Sequence, residues 1–256
     1  MRVIVTRPQH DAERWVQALQ ARGFAAEVLP LIDIAAASNP APLHAAWQQL
    51  AHYQALMYVS GNAVQCFYAT RPVGMAAPGA LPRSWATGPG TLAALHQAGV
   101  PGHLIDAPAS SAGQFDSEAL WTIVNAHVNK DSRVLIVRGG EPGGTGAGRN
   151  WFANQLEAAG AQVDFVVAYE RHPPHWTTAQ QQMAATATND GSVWLLSSSE
   201  AIGHLTQRLP GIMLRNARAV ATHPRIAEAA RGAGFGVVCE SRPTLDDVIA
   251  SIESLA

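Results

Sequence analysis

The sequence predicts an α/β protein made of two similar lobes, each on a mostly parallel sheet. Short apolar runs alternate with helix-like segments along the whole chain, the pattern of strands joined by crossover helices. A set of three units then occurs twice in the same order, displaced by about half the chain. At 256 residues and 48% hydrophobic composition there is enough apolar material to fill such cores.

The elements follow in order. Residues 2–6 (RVIVT) read as a buried strand, and residues 11–23 as a helix with apolar positions at Trp15, Val16 and Leu19, closed by Gly23. Residues 26–32 (AEVLPLI) are the next strand, followed by 54–60 (QALMYVS) and 84–87 (SWAT). The last of these runs into GPGTLAALHQAG, a glycine-rich turn that enters a helix ending at Gly99. Strands at 133–140, 163–169, 192–197 and 218–222 complete the set.

The repeat aligns RVIVTRP…WVQALQARGFAAEVLPLI with RVLIVRGG…WFANQLEAAGAQVDFVVAY, at an offset of 131 from Arg2 to Arg133. MYVSGNAV aligns with WLLSSSEAI, placing Ser60 against Ser197, and SWATGPGTLAALHQAGV aligns with RAVATHPRIAEAARGAGF. Two like lobes make a ligand site between them the default expectation. The proline-containing segments 37–42 and 170–178 read either as interdomain connections or as ordinary surface loops. Read linearly, the chain divides near residue 131.

Composition excludes several classes. No apolar stretch approaches a membrane span, and the N-terminus turns polar too soon for a signal peptide, so a cytoplasmic protein is expected. Cys66 and Cys239 lie beside apolar residues, as reduced buried thiols do. A net charge of -2 gives no basic field to attract nucleic acid. Lys130 is the one lysine among 17 basic residues, a bias that reflects either arginine's fork geometry or codon usage.

The segment 139–149 (GGEPGGTGAGR) lies between a strand and a helix, yet Arg149 and Asn150 stand where a P-loop has Lys and Ser/Thr. It reads as a backbone-lined anion turn, with Arg138 and Arg149 nearby, or as a surface loop. Ser198 lacks the flanking glycines of a nucleophile elbow. Its repeat partner, Ser60-Gly61-Asn62, has one serine in small polar company, as at a helix start that binds an anion. Histidines at 10, 172 and 175 carry no metal-site spacing. His223-Pro-Arg-Ile opens a helix with proline at an early position, and puts Arg225 where its partner turn has Gly90 or Thr91.

Together these residues resemble the uroporphyrinogen-III synthase family: VTRP at 5–8, YVSGNAV at 58–64, GPGT at 88–91, VRGGE at 137–141, VVAYER at 166–171, SSSEAI at 197–202 and the closing AxHPRIAxAARxxGF. The resemblance covers nearly the whole chain and rests on the order of these segments, no one of which is specific alone. It implies two flavodoxin-like lobes joined by two antiparallel connecting strands, with residues 1–36 and 173–256 in one lobe and 37–172 in the other. It implies closure of hydroxymethylbilane with inversion of ring D: loss of the terminal hydroxyl to an azafulvene, a spiro intermediate, fragmentation and reclosure.

The resemblance implies no cofactor and a monomer that receives its substrate from the preceding deaminase. Tyr169 corresponds to the residue that assists hydroxyl departure, by donating its proton or by hydrogen bonding; a strand-end tyrosine that only packs is the other reading. The substrate is a polyanion, so carboxylate-binding turns are expected at Ser60, Gly61 and Asn62, at Gly88 and Thr91, at Gly139 and Gly140, and at Ser197, Ser198 and Ser199. Arg7, Arg138 and Arg225 are cationic supplements, and His223 with Arg225 either binds a carboxylate or caps its helix. The rival classes are a non-catalytic two-lobed anion-binding or regulatory module and a nucleotide enzyme using residues 139–149.

Overall fold

The computed structural model describes residues 1–74, 81–143 and 150–255. The glycine-rich stretch 144–149, including Arg149, falls outside them. Two compact units form: Met1–Asp33 with His172–Ala256, and Ile34–Arg171.

The chain opens with β1 (Arg2–Val5) and α1 (Gln9–Gln20), whose Ala12, Val16 and Leu19 are buried at helical spacing. The run expected as one strand over 26–32 divides into β2 (Ala25–Val28) and β3 (Asp33–Ala36), which belong to different sheets. Pro30 falls between them and has no N–H to give a ladder. There follow α2 (Ala41–Gln48), β4 (Ala55–Tyr58), α3 (Gly61–Ala69), β5 (Arg83–Ala86) and α4 (Pro89–Gln97). Next come β6 (Ile105–Asp106), α5 (Ser117–Val124), β7 (Arg133–Gly140), α6 (Trp151–Ala158) and β8 (Gln162–His172). The chain closes with α7 (Thr178–Thr186), β9 (Val193–Leu196), α8 (Ser199–Arg208), β10 (Arg218–Ala221), α9 (Pro224–Gly232), β11 (Val237–Glu240) and α10 (Leu245–Glu253).

The first unit carries a parallel sheet in the order β11-β10-β9-β1-β2. Numbered within the unit, this is the 2-1-3-4-5 order of a flavodoxin-like sheet. Val3, Val5, Leu195 and Val220 pack with Val16 and Leu19 of α1 and with Val248 and Ile252 of α10 on one face. On the other face Trp194 is fully buried and donates its indole N–H to the Ala187 carbonyl at 3.0 Å. Strand β9 (VWLL) is buried at every position, as a central strand covered on both faces must be.

The second unit has the order β3-β8-β7-β4-β5-β6. Without β3, its strands repeat the first unit's order, with β7-α6-β8 standing where the other sheet has β1-α1-β2. The first unit of each sequence repeat therefore pairs with the later strands of the other half: β1 with β9, and β7 with β4. One face is filled from α2, α3 and α4 by Trp47, Val64, Phe67 and Leu95. The other is filled from α5 and α6 by Leu120, Val124, Phe152 and Leu156. The strand β3 adjoins β8, and the chain passes between the units at the start of one and the end of the other.

Candidate functional site

Where strand order reverses in an open parallel sheet, the two connections leave on opposite faces and open a crevice at the carboxyl ends of the strands. That reversal lies between β7 and β4 in the second unit and between β1 and β9 in the first. Arg7, Ser60, Gly61 and Asn62, and Ser197, Ser198 and Ser199 stand just beyond β1, β4 and β9, while Arg138, Gly139 and Gly140 are the last residues of β7.

In the second unit β4 ends at Tyr58, and Ser60, in extended conformation, caps α3 by accepting the Ala63 N–H at 3.2 Å. Gly61 and Asn62 form the first turn. A Cβ on Gly61 would come within 3.2 Å of the Gly90 carbonyl oxygen, so the starts of α3 and α4 lie side by side. Helix α4 opens on Gly88 and Pro89 with no side-chain cap, leaving its first amides to other acceptors, with Thr91 buried behind them. Two adjacent helix N-termini concentrate partial positive charge, which favours an anion.

Tyr169 lies opposite Gly139 in the β7–β8 ladder, at a register irregularity between Arg138 and Gly139. Its ring is 5% exposed and its hydroxyl stands 3.1 Å from Ser60 Oγ. Burial raises the phenol's pKa above its ordinary value, while the Ser60 hydroxyl and Arg171 act in the opposite direction. The group is therefore a neutral phenol at neutral pH, with a proton to give. Gly139 makes the arrangement possible: a Cβ there would lie 2.5 Å from Arg171 Nη1 and 2.6 Å from Tyr169 Cζ. It is needed for space, because its own φ is not in the left-handed region.

Arg138 sits elsewhere. Its guanidinium stacks over Phe165 at 4.2 Å and donates to Asn150 Oδ1 at 3.3 Å, on the α6 side of the sheet, away from Ser60 and Tyr169. Burial lowers its pKa, and it makes no ion pair among the described residues.

The first unit repeats this plan with differences. Arg7, the repeat partner of Arg138, stacks over Trp15 at 4.5 Å, and burial lowers its pKa to about 10, so it remains a cation at neutral pH. Its Nε is buried without a hydrogen-bond partner among the described residues. Like Arg138, it is a cation held by an aromatic face instead of a carboxylate, which leaves its fork for a ligand. Ser198, not Ser197, caps α8 by accepting the Ala201 N–H at 3.4 Å. The expected register of Ser60 against Ser197 is therefore one residue out, because β4 and β9 place Tyr58 and Leu196 at equivalent ends.

Ser199, in the first turn of α8, donates to the Arg225 carbonyl at 3.5 Å, so α8 and α9 also start side by side. His223 caps α9 by accepting the Arg225 N–H on Nδ1 at 3.1 Å. The capping role left open for His223 is the one its ring performs. The Arg225 side chain is exposed.

Sequence reasoning missed Arg171 and the steric role of Gly139. Arg171 is two residues from Tyr169 on a strand, which puts both on one face. That period is visible in VVAYER, but the partner that makes it matter, an empty Cβ position across the ladder, is not. Among the described residues no cluster of His, Cys, Asp or Glu has the makings of a metal site.

The comparisons with known proteins agree with this plan. The chain is 29% identical over 240 residues to the uroporphyrinogen-III synthase of Salmonella typhimurium, covering 92% of each. Its fold is similar to the crystal structures of a mutant uroporphyrinogen III synthase from Thermus thermophilus (TM-score 0.58, 16% identity, 100% of this chain and 98% of that one) and of uroporphyrinogen-III synthetase from Helicobacter pylori (TM-score 0.58, 17% identity, 100% of both). With residues 13–250 matching the family described as uroporphyrinogen-III synthase HemD, the chain belongs to the uroporphyrinogen-III synthase family.

Proposed function

We propose that the chain closes hydroxymethylbilane to uroporphyrinogen III with Tyr169 as the proton donor to the departing hydroxyl. The observation that carries this is the buried Tyr169 hydroxyl, 3.1 Å from Ser60 Oγ, at the carboxyl end of the strand pair where order reverses. A phenol at that point can lend its proton to a leaving hydroxyl and accept one compensating hydrogen bond from the Ser60 hydroxyl.

The rest of the work is orientation. The linear tetrapyrrole carries a carboxylate on every acetate and propionate arm, and the ring also closes without inversion in water. The enzyme must therefore hold the chain in the shape from which ring D attacks through its substituted carbon. In this reading the amides at Gly61, Asn62, Gly90 and Thr91 receive carboxylates in one unit, and those at Ser199 and Glu200 in the other. Arg7 and Arg138 supply charge. The substrate passes from the deaminase that makes it, because free hydroxymethylbilane is lost to the uninverted ring, and the protein works as a monomer in the cytoplasm. No helix among the described residues is long and apolar enough to cross a membrane.

The test is product analysis with freshly generated hydroxymethylbilane. The wild-type protein should give the type III isomer above the type I background, and Tyr169→Phe should slow this substantially without changing which enzymatic isomer forms. Wild-type turnover by Tyr169→Phe would remove the tyrosine from the mechanism. Type I product alone from the wild type would leave a two-lobed anion-binding module.

A further inference from the structure

Tyr169 and Arg171 share one face of β8, at the end of the strand where β7 presents Gly139 and then stops at Gly140. Both reach the same point in space. The position of a Cβ on Gly139 lies 2.5 Å from Arg171 Nη1, 2.6 Å from Tyr169 Cζ and 2.7 Å from Tyr169 Cε2. The guanidinium edge and the hydroxyl end of the ring thus meet over a residue with no side chain. Between them, Glu170 points to the other face, where its buried carboxylate accepts the Ser38 N–H at 3.1 Å and the Ser38 hydroxyl at 2.6 Å. That pair fixes the strand's rotation, so the backbone at residues 169 and 171 keeps both side chains on this face.

We infer that Arg171 positions the Tyr169 phenol against Ser60 and stabilises the tyrosinate left when its proton departs. The inference rests on the reading of Tyr169 as the proton donor and deepens it. When the donor acts, its O–H proton goes to the hydroxyl oxygen of the substrate's terminal hydroxymethyl group. The C–O bond breaks with its electron pair on oxygen, and water leaves. The pyrrole nitrogen lone pair forms the new C=N bond, so the substrate becomes an azafulvenium cation while the enzyme holds a phenolate. The final ring closure sheds a proton from the α-carbon that makes the new bond, and the phenolate takes it back.

A phenolate in a buried site is expensive unless a cation or donors face it. Three groups act on this phenol: Arg171 and Ser60 favour the ionised form, and the Cys66 thiol on α3 disfavours it. Of the first two, Arg171 alone brings a full charge.

The test replaces the tyrosines with a fluorinated tyrosine, whose phenol ionises nearer neutrality, and follows each of the four by fluorine NMR through a pH titration. The Tyr169 signal is assigned by its loss in Tyr169→Phe. In Arg171→Met, folded by circular dichroism, the Tyr169 midpoint should rise by about one pH unit or more, and Arg171→Lys should restore part of the shift. In unlabelled protein kcat should fall with little change in KM. The double variant Arg171→Met/Tyr169→Phe should be no slower than Tyr169→Phe alone.

An unmoved midpoint in folded Arg171→Met, or a double variant slower by the product of the single effects, would overturn the role of Arg171 and leave Tyr169 as donor. Wild-type turnover by Tyr169→Phe would overturn the donor reading and this inference with it.

Discussion

Gly139→Ala is the smallest change that should damage this site. A Cβ at residue 139 would stand 2.6 Å from Tyr169 Cζ and 2.7 Å from Cε2, whereas carbon atoms in contact sit about 3.5 to 4 Å apart. The Arg171 guanidinium, 2.5 Å away, is the far end of a flexible chain and can swing clear. The Tyr169 ring cannot: it is 5% exposed and its backbone is held in the β7–β8 ladder. It must move by about 1 Å to regain contact distance, and the 3.1 Å approach to Ser60 Oγ is then lost.

Forcing a methyl into a packed site costs about 1 to 3 kcal/mol. Replacing glycine returns about 0.4 to 1 kcal/mol through the unfolded chain. The net loss is on the order of 1 to 2 kcal/mol, a fall in Tm of several degrees, and overpacking wins over the entropic gain. A misplacement of about 1 Å is enough for a rate loss on the order of 100-fold. Stopped-flow supply of hydroxymethylbilane with isomer analysis gives the rate, and calorimetry gives Tm. Wild-type turnover at an unchanged Tm would refute the argument that Gly139 is present to make room for the phenol.

Three further outcomes are expected. Ser60→Ala and Ser198→Ala each lose a helix cap worth about 1 kcal/mol, but Ser60→Ala should also slow turnover at least tenfold because the Tyr169 hydroxyl loses its partner; equal rates in steady-state assays would count against the pairing. Arg7→Gln should raise KM more than it lowers kcat, since its guanidinium is stacked on Trp15 and its Nε has no hydrogen-bond partner among the described residues, and an unchanged KM would remove it from substrate binding. All four tyrosines have pKa values raised by burial first, Tyr58 most strongly, so the folded chain holds protons that the unfolded chain gives up. Their contribution is intact below pH about 10 and is lost as pH rises past it, by about 1.4 kcal/mol per pH unit for each tyrosine still protonated in the fold. Denaturant titrations from pH 8 to 11 should show this decline, and Tyr58→Phe should flatten it.

The strands were legible in the sequence wherever they lie in the middle of a sheet. RVLIVRGG and VWLL are apolar at almost every position because both faces are covered, and no loop has that composition. Two of the edge strands were not. β6 is two residues long and β11 (VVCE) is exposed at both ends and only half-buried between them, so neither departs from what a loop can carry. The serine turns were visible as helix starts, but their register was not, since SSS offers three candidate caps and only the strand end at Leu196 selects Ser198.

Which half each first unit serves could not be read from the repeat at all. The two copies of the β-α-β unit have equivalent edges: Val3 and Val5 of β1 face β9 as Val134 to Val137 of β7 face β4. A parallel ladder recognises backbone and apolar surface, and both copies supply those alike, so pairing preference within the sheet does not choose between the linear and the exchanged arrangement. What chooses is the chain between. The segment after β2 meets Pro30 at once and continues as β3 into the second sheet, where it lies beside β8. The same turn pins itself to the first unit through the Trp176 indole N–H on the Pro30 carbonyl at 2.8 Å and His204 on the Leu31 carbonyl at 2.8 Å. Once residues 29–32 are held there, the chain is committed to leave after one β-α-β unit. The second copy, β7-α6-β8, then completes the sheet built from β4, β5 and β6, and its last strand carries Tyr169 to Gly139 and Ser60.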